Sequence, residues 1–322
     1  MLFNLAIENR NDKNIRKFNQ IQIRVMNKNF SISTPSDFNF KQGLRFLQRS
    51  DLECLFRIEN GLVQFALKIK NENFVIQFFL EKWELHIEIL KGKLTPISKK
   101  IISAYILEWF DVKRDLTDFN RVCRKDNVLK NICNQNIGLR LIGIPNFLEA
   151  ISWAIIGQQI NLKFAYSLKK RLVENFGQKI EFEGKYFYLF PTAKIIATLT
   201  EEDLRPHQFS RSKIKYLVGI AKAIDSGEIS KKKLSNLNYE EAKIKLIEQL
   251  GVGNWTADYV LMKCLRYPDA FPISDVGIHN AIKKELNLEK KPSIETINLM
   301  VVNWKNWKSY AAFYLWHSLL VN

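Results

Sequence analysis

Between residues 55 and 90 apolar and polar side chains alternate with a period of two. Val63, Phe65, Leu67 and Ile69 interleave with Gln64, Ala66 and Lys68, the pattern of a strand with one face turned to a core. Asn60-Gly61 is a tight-hairpin signal. It separates predicted strands at 55–58 and 62–69. Asn71-Glu72-Asn73 then turns the chain into a strand at 74–80, and a further strand is predicted at 83–90. Ahead of them, Pro35-Ser36-Asp37 starts a short helix through Leu44, Phe46 and Leu47. Residues 1–28 are polar and Asn-rich, and no element is predicted for them. This part reads as an antiparallel sheet with a helix, ending near residue 93.

Beyond Pro96 the period changes and strand signals largely stop. A helix is predicted at 97–110, and another at 147–156, where Leu148, Ile151, Trp153 and Ile155 leave almost no polar face and require burial. Gly157 ends that helix, Gln158-Gln159 follows, and Asn161 caps the next, which runs through Phe176 to Gly177. Further helices are predicted at 192–199, 212–224, 239–250, 256–266, 276–286 and 307–320. The fold class is α+β: a unit of sheet and helix at 29–95, then a mostly helical part at 96–322.

A chain of 322 residues with 47% hydrophobic and 12% aromatic content can bury sizeable cores. Its formal charge of +16 fits a polyanionic partner such as nucleic acid, although lysine is abundant throughout. Cys54, Cys123, Cys133 and Cys264 lack the close spacing of a zinc or iron–sulfur site and read as scattered, reduced thiols. The N-terminus shows no apolar run followed by a cleavage site, and no stretch of 18 apolar residues occurs. The expectation is an intracellular, cytoplasmic protein without a membrane span.

Chemistry concentrates between Leu246 and Asp275. A helix capped at Asn238, with Glu241 placed for a capping box, runs into Gly251-Val252-Gly253 and out into a second helix at once. Two glycines around one apolar residue allow a tight turn with Val252 in the core. Amide N–H groups and a helix N-terminus are left facing outward, a surface that binds an anion such as a phosphate without reading sequence. Taken alone, Gly251 also reads as a helix C-cap and Gly253 as part of a turn. Asp275 follows 22 residues after Gly253 in Pro272-Ile273-Ser274-Asp275-Val276; by itself it reads as a helix N-cap. Trp255 and Tyr259 are four apart and share a helix face. Arg205, Arg211, Lys213 and Lys215 form a basic cluster suited either to phosphate contact or to a solvated face. His279, four residues after Asp275, reads as structural or exposed.

The segment from Leu246 to Asp275 resembles the helix-hairpin-helix and following aspartate of the DNA glycosylase superfamily. Ile144-Pro145 to Gly157-Gln158-Gln159-Ile160, Phe271-Pro272-Ile273-Ser274-Asp275, and Trp307-Lys308-Ser309-Tyr310-Ala311 with Trp316 are similar to the bacterial 3-methyladenine DNA glycosylase II (AlkA) family. The resemblance covers roughly residues 30–322. It implies a TBP-like N-terminal domain at 29–95 and a helix-hairpin-helix glycosylase domain at 96–322, acting on double-stranded DNA as a monomer.

It further implies that Asp275 faces the scissile bond, stabilising positive charge on the sugar and orienting water. Trp255, Tyr259 and Trp316 match the family's base pocket. Gly251, Val252, Gly253, Thr256, Gln158 and Gln159 match DNA-binding positions, with Gln159 in the place of the wedge that fills the gap left by a flipped base. Bifunctional relatives carry a nucleophilic lysine where this chain has Trp255, so water is the expected nucleophile. The implied activity is excision of alkylated purines in base excision repair, with no cofactor and no metal at the catalytic centre. The competing readings are an oxidised-guanine (8-oxoguanine) glycosylase/lyase and a non-catalytic DNA-binding or damage-sensing protein.

Overall fold

The computed structural model describes residues 28–320; all but the last residue of the unassigned stretch 1–28 lies outside the described residues. A five-stranded antiparallel sheet opens the fold: β1 (Asn29–Ser33), β2 (Phe56–Glu59), β3 (Leu62–Ile69), β4 (Glu72–Glu81) and β5 (Glu84–Lys91), in the order β1-β5-β4-β3-β2. Asn60 and Gly61 both take positive φ in the β2–β3 turn, as their hairpin signal predicts. Two readings shift. The β3–β4 turn falls at Lys70-Asn71, so that Ile69 pairs with Glu72. Trp83, predicted to begin a strand, sits with Lys82 at positive φ in the β4–β5 turn. Strand β1 was not predicted; it is a five-residue strand at the sheet edge with no fully buried position, too little periodicity to read.

Helix α1 (Phe40–Leu47) is capped by Asn39, whose side chain accepts from Gln42 N. It joins the sheet to the helical part: Phe40 meets Phe78 of β4 at 6.0 Å between ring centroids, and Phe46 meets Phe313 near the C-terminus at 4.6 Å. Helix α2 (Pro96–Trp109), with Thr95 and Ser98 in a capping box, lies on the same sheet face, where Tyr105 stacks on Phe65 at 5.5 Å. Buried side chains therefore form one continuous core across both parts.

The helical part continues through α3 (Thr117–Lys125), α4 (Leu129–Gln135), α5 (Phe147–Gly157) and α6 (Leu162–Phe176), followed after a β-hairpin by α7 (Ala193–Thr198), α8 (Glu201–Leu204), α9 (Arg211–Asp225) and α10 (Lys231–Ser235). It ends with α11 (Tyr239–Ile247), α12 (Asn254–Lys263), α13 (Val276–Glu285), α14 (Ile294–Val301) and α15 (Lys308–Ser318). As its composition predicts, α5 is central: from Phe147 to Ile156 only Glu149 escapes full burial. Each fully buried aliphatic side chain of this kind contributes about 1.5–3 kcal/mol.

Two sequence expectations are corrected. The interval after Gly177 holds a β-hairpin, β6 (Gln178–Phe182) and β7 (Lys185–Leu189), turning through Glu183 and Gly184 at positive φ. Ile180 and Phe187 pack against Ala66 and Val75 on the second face of the sheet, so the short alternation acquires a core only through a distant surface. The thiols are not all scattered: Cys123 of α3 and Cys133 of α4 form a disulfide with Cα atoms 6.3 Å apart, a separation within the usual range. Among the described residues no helix is long and apolar enough to cross a membrane.

Candidate active site

Helices α11 and α12 form the hairpin. Asn238 and Glu241 make the expected capping box at the start of α11. In the turn Gly251 has φ +85°, and a Cβ there would stand 2.2 Å from the Tyr216 ring of α9, so conformation and packing both exclude a side chain. Val252 is buried. Gly253 is the N-cap of α12, and a Cβ on it would meet nothing within 4 Å. No side chain caps this helix, which leaves its first-turn N–H groups and the positive end of its dipole available to an anion.

A buried polar contact, not foreseen from the sequence, ties the two helices together. Asp258 of α12 accepts from the Tyr239 hydroxyl at 2.6 Å and from Lys243 Nζ at 3.0 Å, both on α11. Burial raises the Asp258 pKa, and the tyrosine and lysine contacts oppose that shift.

Asp275 is the N-cap of α13. Its Oδ1 accepts from Ile278 N at 3.0 Å and from the Trp316 indole N–H at 2.8 Å; its Oδ2 accepts from the Trp255 indole N–H at 2.9 Å. The capping role and the indole contacts thus coexist on one carboxylate. With two donors on Oδ1 and one on Oδ2, the remaining acceptor capacity is mainly on Oδ2. Gly277 makes the approach possible: a Cβ there would stand 2.9 Å from Asp275 Oδ1 and 3.2 Å from Trp316 Cδ1. Nothing in the sequence marked this glycine. His279 is tied to the Ile273 carbonyl at 2.8 Å, in keeping with its structural reading.

The three predicted pocket aromatics come together. Trp255 stacks on Tyr259 with centroids 5.4 Å apart, and Tyr259 meets Trp316 at 5.7 Å. Trp255 and Trp316 are half-buried. Tyr259 is buried, which pushes its phenol up to about 12, while the positive charge of Arg49 opposes the shift. Trp153, on α5, lines a cavity of about 610 Å³ against the sheet unit, to which Trp255, Asp275 and Trp316 contribute nothing.

Among the predicted DNA-facing residues the structure separates two groups. Gln159 is exposed and adopts φ +58° in the turn after α5. The Gln158 and Thr256 side chains turn inward: Gln158 Nε2 donates to the Gly251 carbonyl at 2.8 Å and to Thr256 Oγ1 at 2.9 Å, and Thr256 is buried. These two side chains brace the hairpin against α5, while the Thr256 backbone N–H stays among the first-turn N–H groups of α12. In the basic cluster Arg211 pairs with exposed Glu201 at 3.1 Å, and the Lys213 ammonium is directed to backbone carbonyls.

Residues 152–306 match the family described as "HhH-GPD superfamily base excision DNA repair protein". The chain is 41% identical over 305 residues to a DNA-3-methyladenine glycosylase of Bacillus subtilis, covering 89% of this chain and 96% of that protein. A 3-methyladenine DNA glycosylase of Archaeoglobus fulgidus superposes with a TM-score of 0.78 at 25% identity, covering 89% of this chain and 97% of the other. An 8-oxoguanine glycosylase/lyase of Clostridium acetobutylicum, at 20% identity and a TM-score of 0.70 over 90% of this chain and 96% of the other, shares the fold. Because the 41% identity runs through both the sheet unit and the helical part, the protein belongs to the DNA-3-methyladenine glycosylase family of the helix-hairpin-helix superfamily.

Proposed function

We propose that this protein excises alkylated purines of the 3-methyladenine type from duplex DNA by hydrolysing the N-glycosidic bond. The observation that carries the reading is the Asp275 carboxylate held between the indoles of Trp255 and Trp316, with Tyr259 between the two rings.

N-alkylation gives a purine a positive charge. Such a base is drawn to an electron-rich aromatic surface by about 0.5–2 kcal/mol per ring. It also leaves as a neutral molecule, taking the bond's electron pair without prior protonation. The site matches that demand: it presents a carboxylate and aromatic faces, and His279 is engaged with a backbone carbonyl. As the bond breaks, positive charge develops on the sugar, and Asp275 stabilises it electrostatically. Water adds its oxygen to C1′ and releases a proton to solvent. The uncapped start of α12 would receive a phosphate of the DNA backbone, with Gln159 entering the duplex as the wedge.

An oxidised-guanine glycosylase/lyase requires an amine at the Trp255 position, where the indole N–H instead donates to Asp275. A non-catalytic DNA-binding role leaves the assembled carboxylate and aromatics without a use. The test is release of bases from methylated duplex DNA by the native protein and by Asp275→Asn, with borohydride present to trap any Schiff base. Methylpurine release by the native protein alone, with no trapped adduct, is expected. Binding without release from any lesion would favour the non-catalytic reading, and a trapped adduct would favour the lyase.

A further inference from the structure

Helix α5 ends beside the proposed wedge. Its last carbonyls lack the partners that another turn would supply, and the negative end of its dipole gathers there. Lys213, from the first turn of α9, fills this place. Its Nζ donates to the carbonyls of Ile155 at 3.1 Å, Ile156 at 2.8 Å and Gln158 at 2.7 Å. An ammonium has three N–H bonds, so all three are engaged and none remains for a DNA phosphate. Among the described residues Lys213 forms no ion pair with a carboxylate; half-buried, its pKa is lowered to about 8 by burial.

The next residue, Gln159, sits at φ +58°, a conformation that side chains other than glycine adopt only when their surroundings impose it. Three residues along the same face of α9 from Lys213, Tyr216 packs beneath Gly251. Gln158 bridges the two turns through its amide. One helix therefore supports both turns that the proposed function places against DNA, one by a charge and one by a ring.

We propose that Lys213 is a positioning residue that locks the turn after α5, so that Gln159 is held outward before DNA binds. The inference rests on the wedge assignment of Gln159. A pre-formed wedge matters where a base must be extracted from a paired stack, and matters little where the lesion is already unpaired.

The test compares Lys213→Met, Gln159→Ala and the double variant on methylated duplex DNA and on the same DNA methylated as single strands. Lys213→Met is expected to lose about tenfold or more on duplex while staying within about threefold on single strands. Gln159→Ala is expected to do the same, and the double variant to be no worse than the poorer single one. A fluorescent 2-aminopurine opposite a stable abasic site gives a second readout independent of chemistry: its unstacking on protein binding is expected to fall in both single variants. Lys213→Arg guards against a folding failure of the methionine variant. It retains the charge, but a flat guanidinium cannot serve three carbonyls converging on one nitrogen, so a weaker loss with the same duplex preference is expected. Equal losses on both substrates by the lysine variants, with Gln159→Ala duplex-selective, would overturn the role of Lys213 and leave the wedge standing. A Gln159→Ala variant with no duplex-selective loss would overturn both.

Discussion

The indole of Trp316 donates to Oδ1 of Asp275 at 2.8 Å across 41 residues of sequence. That contact exists because position 277 has no side chain: a Cβ would stand 2.9 Å from the carboxylate oxygen and 3.2 Å from the indole. Gly277→Ala is therefore expected to separate the two groups. Displacing Oδ1 weakens its cap on the Ile278 N–H by about 1 kcal/mol, a loss that alanine's helix preference over glycine partly offsets, so stability is expected to change little. Displacement of a reacting group by a fraction of an ångström is expected to reduce turnover by about tenfold or more. Thermal unfolding and single-turnover base release, measured on the same preparation, check this pairing of unchanged stability with lost rate. Unchanged turnover would show that the contact is dispensable.

Asp275→Asn isolates the charge from the cap. Asparagine accepts the Ile278 N–H about as well as aspartate, so unfolding is expected to change by no more than about 1 kcal/mol. The rate of base release is expected to drop by about a hundredfold or more, because the sugar's positive charge loses its carboxylate. A comparable loss of stability and activity would assign Asp275 to the fold alone.

Lys169 of α6 is buried between two carboxylates, Glu53 and Glu149, each 3.0 Å from its Nζ. The group joins the sheet unit to α5 and α6. Lys169→Met removes the shared cation and leaves two carboxylates in a site with little water, so destabilisation of about 3–5 kcal/mol is expected by urea unfolding. Adding Glu53→Gln and Glu149→Gln to that variant is expected to restore part of the loss. No restoration would mean that packing, and not charge, accounts for it.

His317 donates to the Gln42 carbonyl at 3.2 Å. Burial lowers its pKa from 6.5 to about 4. Between those values the unfolded chain takes up a proton that the folded one refuses. Stability is therefore full above about pH 6.5, falls as the pH is lowered, and loses on the order of 2–3 kcal/mol from this group by about pH 4. Urea midpoints at pH 7 and pH 4.5 are expected to differ less in His317→Gln than in the native protein. An equal difference would remove His317 as the source.

Much of this molecule was legible in its sequence wherever the determining contacts are local. Asn161 and Asn238 cap helices as their spacing predicts, Asn60-Gly61 turns a hairpin, and the all-apolar α5 is buried. Each depends on neighbours within about four residues, which periodicity and capping chemistry describe. The resemblance placed Asp275, Trp255, Tyr259 and Trp316 in one site, and the structure brings their side chains together. Tertiary structure alone decided the partners of polar groups that meet across long stretches of sequence. Gln158 reaches Gly251 across 93 residues instead of facing outward, and Lys213 reaches the end of α5 across more than fifty. Gly277 is defined by an indole from another helix, and β6–β7 forms on a sheet face supplied by residues more than a hundred positions earlier. A side chain's composition states what it can donate or accept. Where it does so depends on which surfaces are packed together, and that is set by the burial of the whole core.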